Sequence, residues 1–103
     1  MILYNITCNV EAAAEKYWLE WVDPQLQEWS KSENLKSTTL LQLKSNSPSD
    51  EVIYALQFHI ADPDILQKFL TKEEPLIKEE INKKFGESVL HFSSQLQILK
   101  EYR

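Results

Sequence analysis

His59 and His91 are the only histidines in the chain, and Cys8 is its only cysteine. Imidazole can serve as a general base or a metal ligand, and a thiolate can attack an electrophile. Both histidines fall in stretches of alternating apolar and polar residues, Val52 to Ala61 and the segment from Ser88, which read as strands. If those strands flank a common neighbour, the two rings approach each other across Asn5 or Thr7. A metal site wants three or four ligands with carboxylate or thiolate help. No acidic residue is expected beside the histidines, and Cys8 should point to the other face, so no metal is assigned. General-base catalysis needs an orienting partner and a substrate pocket, for which the sequence offers no sign. Hydrogen bonding across an interface makes neither demand and is the favoured role.

The other candidates have plain structural readings. Cys8 alternates with Ile2, Tyr4, Ile6 and Val10 and so reads as a small buried hydrophobe rather than a nucleophile. Trp18, Trp21 and Trp29 recur at helical spacing, which suits core or interface anchors better than an aromatic ligand cage. The run from Lys72 to Lys84 mixes both signs and reads as a solvated helix face. A chain with one glycine has no glycine-rich phosphate loop. No catalytic residue and no cofactor is assigned, and the balance leans away from an enzyme.

The elements that must position these side chains follow from hydrophobic period. Ile2, Tyr4, Ile6, Cys8 and Val10 alternate with Leu3, Asn5, Thr7 and Asn9, a strand with one apolar and one mixed face. Glu11 to Ser32 has helical spacing, and Asp23-Pro24 predicts a kink or break near Val22 with a shorter helix from Pro24. Leu35 to Lys44 and Val52 to Ala61 read as a hairpin around the turn Asn46 to Asp50. Asp62-Pro63-Asp64 is a helix start, Pro75 a second interruption, and Gly86 a left-handed C-terminal cap. A fourth strand begins near Ser88. The order β-α-β-β-α-β predicts an α+β, ferredoxin-like sandwich: one antiparallel four-stranded sheet in the order 4-1-3-2, with two helices on one face. Leu90 and Phe92 are expected beneath the helices.

At 103 residues the chain reads as a single domain, 1–103. Its net charge of −5, from 16 acidic and 11 basic residues, shows no basic patch and argues against nucleic acid. No apolar run approaches a membrane span, and a strand at Ile2 leaves no room for a secretory signal. The lone thiol fits a reducing compartment. The expected location is the cytoplasm.

The second sheet face would then carry Leu3, Asn5, Thr7 and Asn9, with Ile53, Ala55, Gln57 and His59, with Val89, His91, Ser93 and Gln95, and with Thr38, Leu40 and Gln42. It is neither a plain solvated surface nor a plain core. Three readings compete: a solvated face with scattered apolar residues, a homodimer packed face to face, and a small-molecule pocket within such a closed space. The homodimer is favoured. The alternative is a binder or enzyme acting on an aromatic or quinone-like compound.

The opening M-I-L-Y-N-I-T-C-N-V, the W-L-E-W of the first helix, Y-A-L-Q-F in the third strand and P-L-I-K-E-E with a later F-G resemble a small bacterial family. It is catalogued as domain of unknown function 4286. The resemblance spans nearly the whole chain and implies a ferredoxin-like fold of the dimeric α-β barrel kind, without an established activity. Asn5 and Gln57 match the family's Y-N and V-Q positions. Relatives often carry a His-Ile-Pro segment late in the first helix, where this chain has Asp23-Pro24-Gln25-Leu26-Gln27 and no histidine. Asn5, Thr7, Gln57, His59 and His91 are the resulting ligand-binding or interface candidates.

Overall fold

A computed structural model describes residues 1–43 and 51–103. The expected turn at Asn46 to Asp50 lies outside the described residues. Strand β1 spans Ile2–Glu11, helix α1 Glu15–Trp29, β2 Ser37–Leu43 and β3 Glu51–Ile60, followed by α2 (Pro63–Lys72), α3 (Glu74–Phe85) and β4 (Val89–Gln97). Short 3-10 turns at Ala12–Ala14 and Gly86–Ser88 lead into α1 and β4. The strands pair antiparallel in the order β2-β3-β1-β4, the expected order read from the other edge. The fold is the ferredoxin-like α+β sandwich.

Strand β1 takes the centre because one of its faces is wholly apolar. Ile2, Tyr4, Ile6, Cys8 and Val10 are all buried, as are Tyr54, Leu56, Phe58 and Ile60 of β3. The helices seal this layer with Trp18, Val22, Leu66, Phe69, Ile77 and Ile81. The aromatic members meet edge to face, Trp18 with Phe85 at 5.6 Å between centroids and Tyr4 with Phe69 at the same separation.

Helix α1 runs without a break through Pro24, so no separate shorter helix starts there. Trp18, Val22 and Leu26 form a continuous buried stripe across the proline, while Pro24 itself is exposed. Burial of three large side chains outweighs the ~3 kcal/mol that an interior proline costs. Asp23 caps no helix; it accepts a hydrogen bond from the Gln27 side chain at 3.2 Å. Pro75, by contrast, does divide the helical run. Asp62 caps α2 by accepting from the Ile65 amide at 2.9 Å, and α2 ends at Lys72 because the Pro75 ring excludes a regular preceding turn. Glu73 occupies the junction.

Gly86 ends α3 with φ 55° and ψ −128°. The positive φ was expected, but the ψ places it outside the left-handed helical region, so it turns the chain sharply toward β4. A Cβ here would meet no atom within 4 Å. Gly86→Ala is therefore expected to cost about 1–2 kcal/mol from backbone strain alone. Urea unfolding checks this, with the midpoint falling and the slope unchanged.

The two outer strands face opposite to expectation. Val10 pairs with Val89 and Cys8 with His91, so Val89, His91, Ser93 and Gln95 share the helix-covered face. Val89 is 1 % exposed, whereas Leu90 and Phe92 are 58 % and 59 % exposed. On β2, Thr38, Leu40 and Gln42 oppose Phe58, Leu56 and Tyr54, again on the covered side. Alternation says which residues share a face of a strand, not which face meets the helices.

Candidate functional site

The open sheet face is ordered in rows that cross all four strands. One row is polar throughout: Thr39 opposes Gln57, Gln57 opposes Asn5, and Asn5 opposes Ser94. On one side of it the next row reads Leu41, Ala55, Thr7, Phe92, and the one beyond reads Leu43, Ile53, Asn9, Leu90. On the other side lies Ser37, His59, Leu3, Leu96. The apolar side chains on the outer strands are the exposed ones, with Leu43 and Phe92 at 60 % and 59 %. The central strands are partly buried by their neighbours.

Asn5, Thr7, Gln57 and His59 thus come together on the two central strands, within three adjacent rows. His59 Nε2 lies 3.2 Å from the Thr39 hydroxyl, a contact between neighbouring rows that places both side chains on this face. The amide oxygens of Asn5 and Asn9 are buried and receive no donor among the described residues. An undonated buried carbonyl costs about 1–3 kcal/mol, which makes these two oxygens the least satisfied feature of the face. A shallow cavity of about 280 Å³ opens beside Thr7, between Leu41, Leu43, Ile53 and Ala55.

His91 does not join them. It lies on the covered face, where its Nε2 is 3.0 Å from Asn82 Oδ1 of α3. Since an amide oxygen only accepts, Nε2 carries the proton. The same side of β4 holds Ser93, whose hydroxyl accepts from Lys78 Nζ at 3.1 Å. Lys78 also pairs with Glu74 at 3.4 Å, and Glu74 accepts from the Tyr4 hydroxyl. Polar residues of α3 therefore satisfy the polar inward side of β4. Thr39, Ser94, Leu41 and Phe92, all on the open face, were missed because the facing of each outer strand is set by its pairing register, with β3 for β2 and with the distant β1 for β4, and not by its own alternation.

Desolvation lowers the His91 pKa, nearby Lys78 lowers it further, and Glu74 opposes them. The unfolded chain, with an imidazole pKa near ~6.5, thus takes up the proton first. Stability is expected to fall as pH drops below about 6.5 until the folded value is passed, and His91→Gln should flatten that loss. Thermal melts from pH 8 to pH 5 on both proteins check it. Desolvation also pushes the Cys8 thiol up to about 12, so it is a poor nucleophile in the folded state. Among the described residues no group of three His, Cys, Asp or Glu side chains is placed to hold a metal, and no helix is long and apolar enough to cross a membrane.

Two solved structures share this architecture. A dimeric ferredoxin-like protein from an uncultured marine organism superposes with a TM-score of 0.75 at 10 % identity, over 98 % of this chain and 97 % of that one. A Deinococcus radiodurans protein described as a "putative antibiotic biosynthesis monooxygenase" gives 0.71 at 9 % identity, over 100 % and 97 %. At such identities the likeness is one of fold. No curated protein matches the chain. The model of the domain of unknown function DUF4286 matches residues 1–99, and the chain belongs to that family.

Proposed function

We propose that this chain is the single-domain subunit of a non-enzymatic cytoplasmic homodimer, joined open face to open face. The observation that carries the reading is the polar row bounded by exposed leucines and Phe92 on the outer strands. A second copy turned by a two-fold axis would lay apolar side chains on apolar side chains and supply amide donors to Asn5 and Asn9. Four strands at ~4.8 Å spacing and ~9 residues of ~3.3 Å span roughly 600 Å² per subunit, or about 1,200 Å² for a pair. That reaches the lower bound of a specific interface, ~1,200 Å². Asn5, Thr7, Gln57 and His59 are the interface residues of this reading. The acidic balance leaves nucleic acid outside it, and no membrane partner enters it.

Light scattering at micromolar concentration tests the proposal. The expected mass is twice the 12.1 kDa of the chain, and a clean monomer mass overturns it. The cavity beside Thr7 favours a second reading, in which the closed space holds a small aromatic or quinone-like compound, in line with the monooxygenase named above. Native mass spectrometry of freshly purified protein distinguishes the two, since a bound compound lost on changing Asn5 or Gln57 supports the second.

A further inference from the structure

Strand β4 forms one edge of the sheet, with β1 on its inner side and no strand on its outer side. The Ile98 N–H donates to the Met1 carbonyl at 3.1 Å, which fixes the sense of every backbone group along the strand. The register against β1 runs without interruption from Ile2↔Gln97 to Val10↔Val89. In such a ladder the bonded residues alternate. Leu90, Phe92, Ser94 and Leu96 therefore turn their N–H and C=O toward β1, while Val89, His91, Ser93, Gln95 and Gln97 turn theirs outward. Among the described residues these outward groups meet no other backbone group. Edge strands are commonly blunted by charges, proline or a bulge. The β4 sequence VLHFSSQLQ holds no Asp, Glu, Lys, Arg, Pro or Gly, in a chain that is 26 % charged, and its register has no bulge.

The strand is complementary to itself. A two-fold axis through Ser93, perpendicular to the sheet, lays a second β4 alongside the first and antiparallel to it. Ser93 then opposes its own copy, His91 the copy of Gln95, and Val89 the copy of Gln97, so outward N–H groups meet outward carbonyls over the whole strand. Centring on Phe92 or Ser94 would set inward-turned groups opposite each other and form no ladder. The Ser93 register also matches the faces. On the open side Leu90 meets the copy of Leu96, and Phe92 lies diagonal to its own copy, within reach of an aromatic pair. No like charges are opposed along the strands. Lys78, which reaches Ser93 at 3.1 Å, carries its own countercharge in Glu74 at 3.4 Å. We infer that β4 is a self-complementary edge through which two copies of this chain join their four-stranded sheets into one continuous sheet. The contact lies in the plane of the sheet and does not depend on the face-to-face seam. One strand pair is smaller than the ~1,200 Å² of a specific interface, so it belongs to concentrations well above the micromolar range in which that seam is tested.

Amide hydrogen exchange, read residue by residue by NMR from ~50 µM to ~1 mM protein, tests the inference. At the low concentration the outward His91, Ser93 and Gln95 amides should exchange fast, and the Phe92 and Ser94 amides, bonded to β1, slowly. At the high concentration the outward amides should slow about threefold or more relative to the inward pair, by mass action. The face seam makes no in-plane bond to these groups, so its formation or failure leaves that ratio unchanged. Gln95→Pro removes an outward N–H that is unbonded within the subunit, at an exposed edge position where proline is tolerated. In that variant His91 and Ser93 should exchange fast at both concentrations. An outward-to-inward ratio that does not change with concentration, or a slowing that survives Gln95→Pro, overturns the inference. The concentration series on the unsubstituted protein stands even if the variant does not fold.

Discussion

Phe92→Glu is expected to leave a folded chain of 12.1 kDa, where the unsubstituted protein, on the proposed dimer, is expected to sediment at twice that mass. The Phe92 ring is 59 % exposed in the isolated subunit and lies in the row with Leu41, Ala55 and Thr7. Folding of the subunit does not require it, because the core lies on the other side of the sheet. Between two sheets it would be buried, and symmetry places two copies at the interface. Loss of about 2–3 kcal/mol of apolar burial per copy, before the cost of trapping a carboxylate, weakens dimerisation roughly a thousandfold or more. Tyr17→Glu is the control, since Tyr17 is 63 % exposed on helix α1, on the far side of the molecule. Sedimentation velocity over a concentration series should show a monomer for the first variant and an unchanged mass for the second. A Phe92→Glu protein that keeps the double mass would remove the open face as the seam.

Trp18→Ala should produce a large loss of stability. Trp18 is fully buried and packs against the rings of Trp21, Tyr54 and Phe85. Removing so large a side chain costs about 3–5 kcal/mol. One term works the other way: the indole Nε1 is buried with no acceptor among the described residues, so its deletion relieves an unsatisfied donor. The loss is therefore placed at about 3 kcal/mol, a melting point lower by ~12–24 °C. Trp18→Phe keeps a ring, removes the same donor and should lose about 1 kcal/mol or less. Melts at one fixed protein concentration compare the three, because the proposed dimerisation would make the midpoint concentration-dependent. Equal losses for the two variants would refute the packing argument.

The central part of the fold was legible because local and global signals agree there. In β1 and β3 the apolar alternate set is also the buried set, so period, face and element order could be read together. The cap at Asp62 and the break at Pro75 depend only on residues within a turn or two. The outer strands were misread for a definite reason. In β4 the residues facing the helices after Val89 are His91, Ser93 and Gln95, served by Lys78 and Asn82, while Leu90, Phe92 and Leu96 face outward. The rule that apolar residues point to the covered side fails when the uncovered side is the more apolar one. Of the five candidate residues, the four on the central strands were placed correctly, and His91 was misplaced with its strand. Pro24 shows the same limit in a helix, where tertiary burial decided against a local breaker.

The pairing of β1 also constrains the order in which the molecule can be completed. Ile2 lies opposite Ile60 on one flank and opposite Gln97 on the other. As the chain leaves the ribosome, its first strand has no partner until β3 appears, and only half its ladder until β4 is made. Its apolar side chains must wait through most of synthesis, which makes closure of the sheet a non-local and comparatively slow event. Any nascent or truncated chain that stops before Val89 leaves one flank of this central strand unpaired.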